Sequence, residues 1–397
     1  MANDGRRVKR ELVRFFRIDF SDRNDYHSRM ARKLASIVRI ASVSPIPDAD
    51  RLEVVEMEGK GWRVVTAKGE FHPGDLAVYF EIDSYLPPDD ERYAFLRERC
   101  LRKFVSKGGS VLREGLRIKT AKLRGVVSQG LVMPVAKFPE LSADGTAPDV
   151  GRDVTADLHV DHFDEVAEAM RPAAGGLGAD DVLGPFPGFI PKTDEERIQN
   201  LAEYFTTMRG RRFEVTEKND GTSVTMFYVP SMDEAQPFGV CTRNQRLKPP
   251  SADRDPSLPW RVAAKCNAEA AIRGACEAAK AELAFQGELV GPGVNANRDF
   301  YRDWEWHVFR VWNISSGSFI PPGEARALCE KAGLQYVPVI AESMDVFAEF
   351  TDIDALLSFA EGKTARGNER EGLVFKTVDA PYVSFKAVSN RYLLKNG

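Results

Sequence analysis

Glu217-Lys218-Asn219-Asp220-Gly221-Thr222 sets a lysine two residues before an acid and three before a glycine, directly after the strand-like Phe213 to Val215. A lysine of ordinary pKa, about 10.4, is nearly all ammonium at neutral pH and has no lone pair to attack with. A nucleophilic lysine therefore needs a pocket that desolvates it, acids that hold a metal cation, and donors for phosphate. The same residue types also build hairpin turns, so the hexapeptide alone is open to both readings. What the rest of the chain supplies decides between them.

The chain has 397 residues, enough for two or three domains. Hydrophobic content of 43% and charged content of 29% are those of a globular protein, and no apolar run is long enough to span a bilayer, so no membrane domain is expected. Five cysteines, without a Cys-x-x-Cys pair, argue against a disulfide framework or zinc site and for a reducing, cytoplasmic setting. Net charge is −4, but from Arg97 to Arg124 ten basic residues face two acids, a local footprint for a polyanion or else a solvated surface. Residues 1–33 read as a variable basic extension. They lack the apolar core of a secretory signal, Asp4, Glu11, Asp19 and Asp22 count against a transit peptide, and Met30-Ala31-Arg32-Lys33 resembles a natural start.

Residues 34–138 carry short strand patterns such as Ser36 to Ile40, Leu52 to Met57, Trp62 to Thr66 and Leu76 to Ile82, punctuated by turns, with a helical insert expected at Asp89 to Phe104. Five or six short strands suggest a small β-barrel, most economically an OB-fold. Clusters rich in Gly, Ala, Pro and Ser mark residues 139–190 as a linker or mobile excursion. Residues 191–397 mix strands with helices. Thr193-Asp194-Glu195-Glu196 reads as a helix N-cap with acids in the first turn, and Ala263 to Ala284 as one long helix.

Downstream of Lys218 come Cys241-Thr242-Arg243-Asn244, Gly287-Glu288-Leu289-Val290-Gly291, Phe309-Arg310-Val311-Trp312-Asn313, Glu371-Gly372-Leu373-Val374-Phe375-Lys376 and Ser384-Phe385-Lys386. This ordered set resembles the motifs of the covalent nucleotidyltransferases, which present their lysine as Lys-x-Asp-Gly and include ATP-dependent ligases and mRNA capping enzymes. Within that group the chain is most similar to the fifth class of RNA ligases, on the strength of its N-terminal OB module and the lead-in Pro191-Lys192-Thr193-Asp194-Glu195 and Arg197-Ile198-Gln199-Asn200. The resemblance implies an α+β protein, an OB-fold β-barrel followed by an ATP-grasp-like adenylyltransferase domain of antiparallel sheets and helices. It also implies ATP with Mg2+ or Mn2+ as cofactors, and RNA or a nicked RNA/DNA duplex as partner.

On that resemblance Lys218 takes up AMP, while Arg197, Lys376 and Lys386 are candidates for the phosphates and Arg243 for ribose or phosphate. Glu288 would receive the ribose hydroxyls, Phe309 would stack on adenine, and Glu217 would meet the adenine amino group. Asp220 and Glu371 would hold the metal. Each has a plainer reading: Phe309 as core, Arg243 as a strand end, Glu288 and Glu371 as turn residues, Lys386 as a solvated cation, and His307 as a packed or surface residue. One departure is local, because several relatives have Lys-x-Lys where this chain has Ser384-Phe385-Lys386. A capping-type guanylyltransferase and a non-catalytic RNA-binding protein are the competing functions.

Overall fold

The computed structural model describes residues 32–105, 109–142, 145–170, 179–232 and 236–396. Nearly all of the expected basic extension, Lys107 of the basic run and the glycine-rich stretch after Arg171 lie outside the described residues.

The long strand Ala35–Pro45 organises the N-terminal domain. Its first half pairs antiparallel with Leu76–Phe80 and its second with Leu52–Met57, and a register shift between Ile40 and Ser42 separates the two. An irregularity of this kind bends a strand, which lets one strand serve both parts of a curled sheet. Alternation then buries both faces. Ala35 and Ile37 join an apolar cluster with Tyr93, Leu116 and Phe138, whereas Val38 and Ile40 join another with Val55, Trp62 and Val64. The strand order, Leu131–Pro134, Leu76–Phe80, Ala35–Pro45, Leu52–Met57, Arg63–Ala67, is the OB barrel that the strand spacing suggests.

Two local expectations change. The insert after Asp89 is a 3-10 turn, Glu91–Leu96, and one helical turn, Arg97–Cys100, before the chain extends as Leu101–Val105 against Val111–Arg117. Phe104 and Val105 are strand formers, and their pairing wins over the short helical start. The described parts of 139–190 are bonded into the domains on either side. Val154, Leu158 and Val160 are buried in the N-terminal core, and the amides of Gly151 and Val154 donate to Ile37 and Ala35 at 2.8 and 2.9 Å. Val182–Pro185 pairs with Gln245–Leu247 of the following domain.

The C-terminal domain is built on two sheets, of seven and five strands, antiparallel except where Glu196–Arg197 runs parallel to Ser384–Val388. On the larger sheet the helices Leu258–Lys265, Ala268–Ala279 and Pro322–Ala332 cover Val224, Phe285 and Val308 with Trp260, Ile272 and Cys329. The single helix expected over 263–284 is thus two. Asn267, at φ 50, breaks it, and Lys280, at φ 51, ends it before the strand Leu283–Val290. The smaller sheet separates its faces by strict alternation. Phe213, Val215, Leu373, Phe375, Phe385 and Ala387 form one apolar cluster, so Glu214, Thr216, Val374, Lys376, Ser384 and Lys386 share the opposite face.

The acids expected to cap a helix have other partners. Asp194 binds Arg243, Glu195 binds Arg310 and Ser384, and the chain continues as a short strand and a 3-10 turn, Ile198–Asn200. That turn docks the barrel. The Asn200 amide donates to Glu81 at 2.7 Å, and its oxygen accepts from Trp62 at 2.7 Å and Lys60 at 3.0 Å.

Candidate active site

Lys218 lies just past the end of the strand Phe213–Glu217, where its backbone amide donates to Gly372 at 3.0 Å. Its ammonium meets the Glu371 carboxylate at 2.7 Å, in a pocket that leaves the lysine side chain 26% exposed. Close approach of the surrounding backbone needs glycine at two points. A Cβ on Gly221 would lie 2.3 Å from the Leu289 carbonyl oxygen, and one on Gly372 would lie 2.2 Å from that of Ala387.

Three carboxylates act on this lysine. Burial pushes against the ammonium, but Glu371, Glu288 and Asp220 together hold Lys218 above its ordinary range. The same crowding acts in reverse on the acids. Burial is the main cause that raises Glu288 to about 8, with Lys218 opposing and Glu371 and Asp220 adding to the rise. Glu371 is also raised by burial, against the pull of Lys218 and Lys386. Asp220 is clamped separately: Arg298 reaches it at 2.5 Å, Asn295 at 3.2 Å, and Arg298 also donates to the Tyr392 hydroxyl at 3.1 Å.

The structure distributes the other expected residues unevenly. Lys386 acts on both Glu371 and Asp194, which places it beside the cluster. Arg243 sits further along the same chain of charges, holding Asp194 at 2.8 Å. Lys376 is elsewhere. Its side chain is 1% exposed, and the ammonium spends its three donors on Glu214 at 3.0 Å, the Phe309 carbonyl at 2.7 Å and the Tyr336 hydroxyl at 3.2 Å. Register explains the difference, since Lys386 lies in the row of Thr216, two residues from Lys218, and Lys376 in the row of Glu214, four away. At roughly 3.4 Å per residue the second is about twice as far along the strand. Arg197 also points to another task, at 3.3 Å from Asp83 of the barrel, which in turn binds Arg117 at 2.9 Å. Glu217 accepts from the Ala365 amide at 2.9 Å.

Phe309 occupies a bulge. Gln286 pairs with Arg310 and Gly287 with Val308, so Phe309 is the extra residue of its strand and falls out of alternation. It is half-buried and belongs to none of the apolar clusters of the described residues, which frees its ring from core duty. Asp220 and Glu371 are hard oxygen donors, but no group of three or more such side chains is arranged as a metal cage among the described residues. A divalent cation that keeps most of its waters needs only one or two carboxylates beside a phosphate, and this donor set fits that requirement.

A family model for an OB-fold domain matches residues 34–135, and one for RNA ligase matches residues 211–392. Similar solved structures include the RNA ligase of Naegleria gruberi as an apo mutant, with TM-score 0.76 and 32% identity over 92% of this chain and 98% of that one. The chain belongs to the ATP-dependent RNA ligases. Mutants of the Naegleria enzyme with AMP and Mn, and with ATP and Mn, match it at the same TM-score and identity over 92% of this chain and 99% of theirs. Comparison with the curated proteins gives no match.

In this RNA ligase several residues around Lys218 carried no legible signal in the sequence. Arg298, Asn295 and Tyr392 converge on Asp220 from a loop and from the C-terminal helix Asn390–Asn396, and nothing in their local patterns marks them. His307, read as a packed or surface residue, is buried and bonds Asn219, the residue between Lys218 and Asp220. The basic run is partly paired with acids. Arg97 pairs with Glu91, Lys103 with Glu114, Arg113 with Asp161 and Arg117 with Asp83, while Arg99, Lys122 and Arg124 stay exposed. Among the described residues no helix is long and apolar enough to cross a membrane.

Proposed function

We propose that this RNA ligase joins a 3′-hydroxyl to a 5′-phosphate through an AMP-lysine intermediate on Lys218 and an adenylylated 5′ end, and that it seals nicks whose 3′-hydroxyl strand is RNA. The observation that carries the reading is the convergence of Lys218, Asp220, Glu288 and Glu371 in one pocket with Lys386 beside it. In the first step the Lys218 amine forms a bond to the α-phosphorus of ATP, the bond to pyrophosphate breaks, and the lysine loses a proton. Such a transfer rewards positioning and charge neutralisation.

Lys386 and the outlying Arg243 are the cations for the phosphates and ribose. Glu288, raised toward its protonated form, suits hydrogen bonding to ribose hydroxyls, and Phe309 on its bulge offers a ring to adenine. Asp220 and Glu371 would hold Mg2+ or Mn2+, whose charge offsets the carboxylates that keep Lys218 as ammonium. The Naegleria complexes with ATP, AMP and Mn support this choice of cofactors. Arg99, Lys122 and Arg124 on the barrel suit a phosphate backbone, with affinity that falls as salt rises. Five cysteines without a disulfide among the described ones suit a reducing compartment such as the cytoplasm.

Incubation with labelled ATP or GTP and a divalent cation, followed by sealing assays in which each strand at a nick is RNA or DNA, tests the proposal. ATP alone is expected to give a stable adduct on Lys218, and an RNA 3′-hydroxyl strand to be required. An adduct with GTP instead would make the enzyme a capping-type transferase, and equal sealing of an all-DNA nick would end the RNA assignment.

A further inference from the structure

We propose that His307, backed by Glu305, is a positioning residue that holds Asn219 and thereby aims Lys218 and Asp220, its two chain neighbours. This inference rests on the reading of Lys218 as the AMP acceptor.

The four residues from Lys218 to Gly221 link two strands and have no ladder of their own. Their alignment must come from contacts. One is the Lys218 amide on Gly372, and another is Arg298 on Asp220. Asn295 adds bonds to Asp220 and the Gly221 carbonyl, Glu371 meets the Lys218 ammonium, and the Asn219 side chain, 8% exposed, has its nitrogen 2.7 Å from Nδ1 of His307. On the far side of the ring, Nε2 lies 2.9 Å from a Glu305 carboxylate oxygen.

These partners determine the tautomer. The Asn219 nitrogen has only hydrogens to give, so Nδ1 must offer its lone pair, and the carboxylate accepts, so Nε2 carries the proton. His307 is 2% exposed, and the Tyr301 ring meets it edge-on at 5.7 Å with Arg366 lying 4.3 Å over that tyrosine. Burial pushes the imidazole below its ordinary pKa against the pull of Glu305, which favours the neutral ring whose Nδ1 can accept from Asn219.

Placement on a rigid element makes the contact useful. His307 is the register partner of Glu288, so one strand pair presents a carboxylate to Lys218 and an imidazole to Asn219. Neighbours across an antiparallel pair keep a fixed spacing, and the two supports therefore move as one. An in-line attack is sensitive to displacement, and a 1 Å misplacement costs on the order of 10²-fold in rate.

The test compares His307→Leu, His307→Asn, Asn219→Ala and the double variant His307→Leu/Asn219→Ala. Each is assayed for AMP adduct formation across ATP concentrations, with thermal unfolding followed alongside. His307→Leu fills the space without an acceptor and is expected to lower the saturating rate about 10- to 100-fold while the ATP KM moves less than about threefold. His307→Asn keeps an acceptor near the Nδ1 position and should recover most of that loss. Asn219→Ala removes the same bond from its other end and should show a like loss at native stability, which keeps the test open if the leucine variant folds poorly, and the double variant should be no slower than the slower single. A wild-type rate in His307→Leu, an equally slow His307→Asn of native stability, or multiplicative losses in the double variant would each overturn the proposal. Lys218→Ala separates the two readings: an adduct that persists in it removes the nucleophile assignment, whatever His307 does.

Discussion

Lys376 meets Glu214 at 3.0 Å and Lys218 meets Glu371 at 2.7 Å, yet burial drives the first lysine below its ordinary pKa while three carboxylates hold the second above it. Both belong to the polar side of one sheet. At the inner end every donor of Lys376 is spent, and both partners are 1% exposed. At the pocket end Lys218 is 26% exposed and faces Glu288 and Asp220 besides its partner Glu371. A saturated pair is a structural tie between the two sheets, since Lys376 reaches the carbonyl of Phe309 on the other one. A partly exposed pair among further acids keeps room for a ligand, which on the proposed function is a cation and a phosphate. Two lysines in similar sequence company thus differ by what remains unsatisfied around them.

The comparison can be broken or sharpened by experiment. Lys218→Ala is expected to abolish the AMP adduct and to lower sealing by at least about 10³-fold at nearly native stability, read by intact-mass spectrometry and a nick-sealing assay. Lys376→Met should do the opposite kind of damage. Stranding Glu214 in the interior costs about 3–5 kcal/mol, visible as a fall in the denaturant midpoint. Lost adduct formation at unchanged stability in that variant would collapse the distinction. Lys386→Ala should slow adduct formation about 10- to 100-fold, with stability changed by less than about 1 kcal/mol, and chemical denaturation beside single-turnover kinetics checks both halves.

The smallest effect belongs to the barrel, where charges are paired at the surface. Asp90 caps the turn Glu91–Leu96 by accepting from the Arg92 amide, and its carboxylate is lowered chiefly by the Arg92 side chain, with burial opposing. A depressed carboxylate contributes stability above its unfolded pKa, near 3.8, that is lost as pH falls through its lower folded value. Asp90→Ala should therefore cost about 0.5–1 kcal/mol at neutral pH and progressively less below pH 3.8, measured by urea unfolding across pH, with adduct formation unaffected.

Much of the barrel was legible because its strands alternate and its turns carry Gly and Pro, so local spacing sufficed. Helix limits were less so. Asn267 breaks an alanine-rich run through a backbone conformation that helical spacing does not announce. At the site, Lys218, Asp220, Glu288 and Glu371 could be listed from ordered motifs, and the structure brings all four together. The roles of the lysines beyond them were not legible. Lys376 and Lys386 stand in similar motifs, and only strand register sets one two rows from Lys218 and the other four.

The sequence by itself determined the domain order, the chemistry of a lysine among acids, and the resemblance to RNA ligases, because these depend on residue type and local spacing. Tertiary structure alone decided that Arg197 serves the barrel contact with Asp83, that Phe309 leaves the core on a bulge, and that Asn219 leans on His307. Those outcomes depend on which residues meet across sheets, and pairing over such separations leaves no periodic trace in the chain.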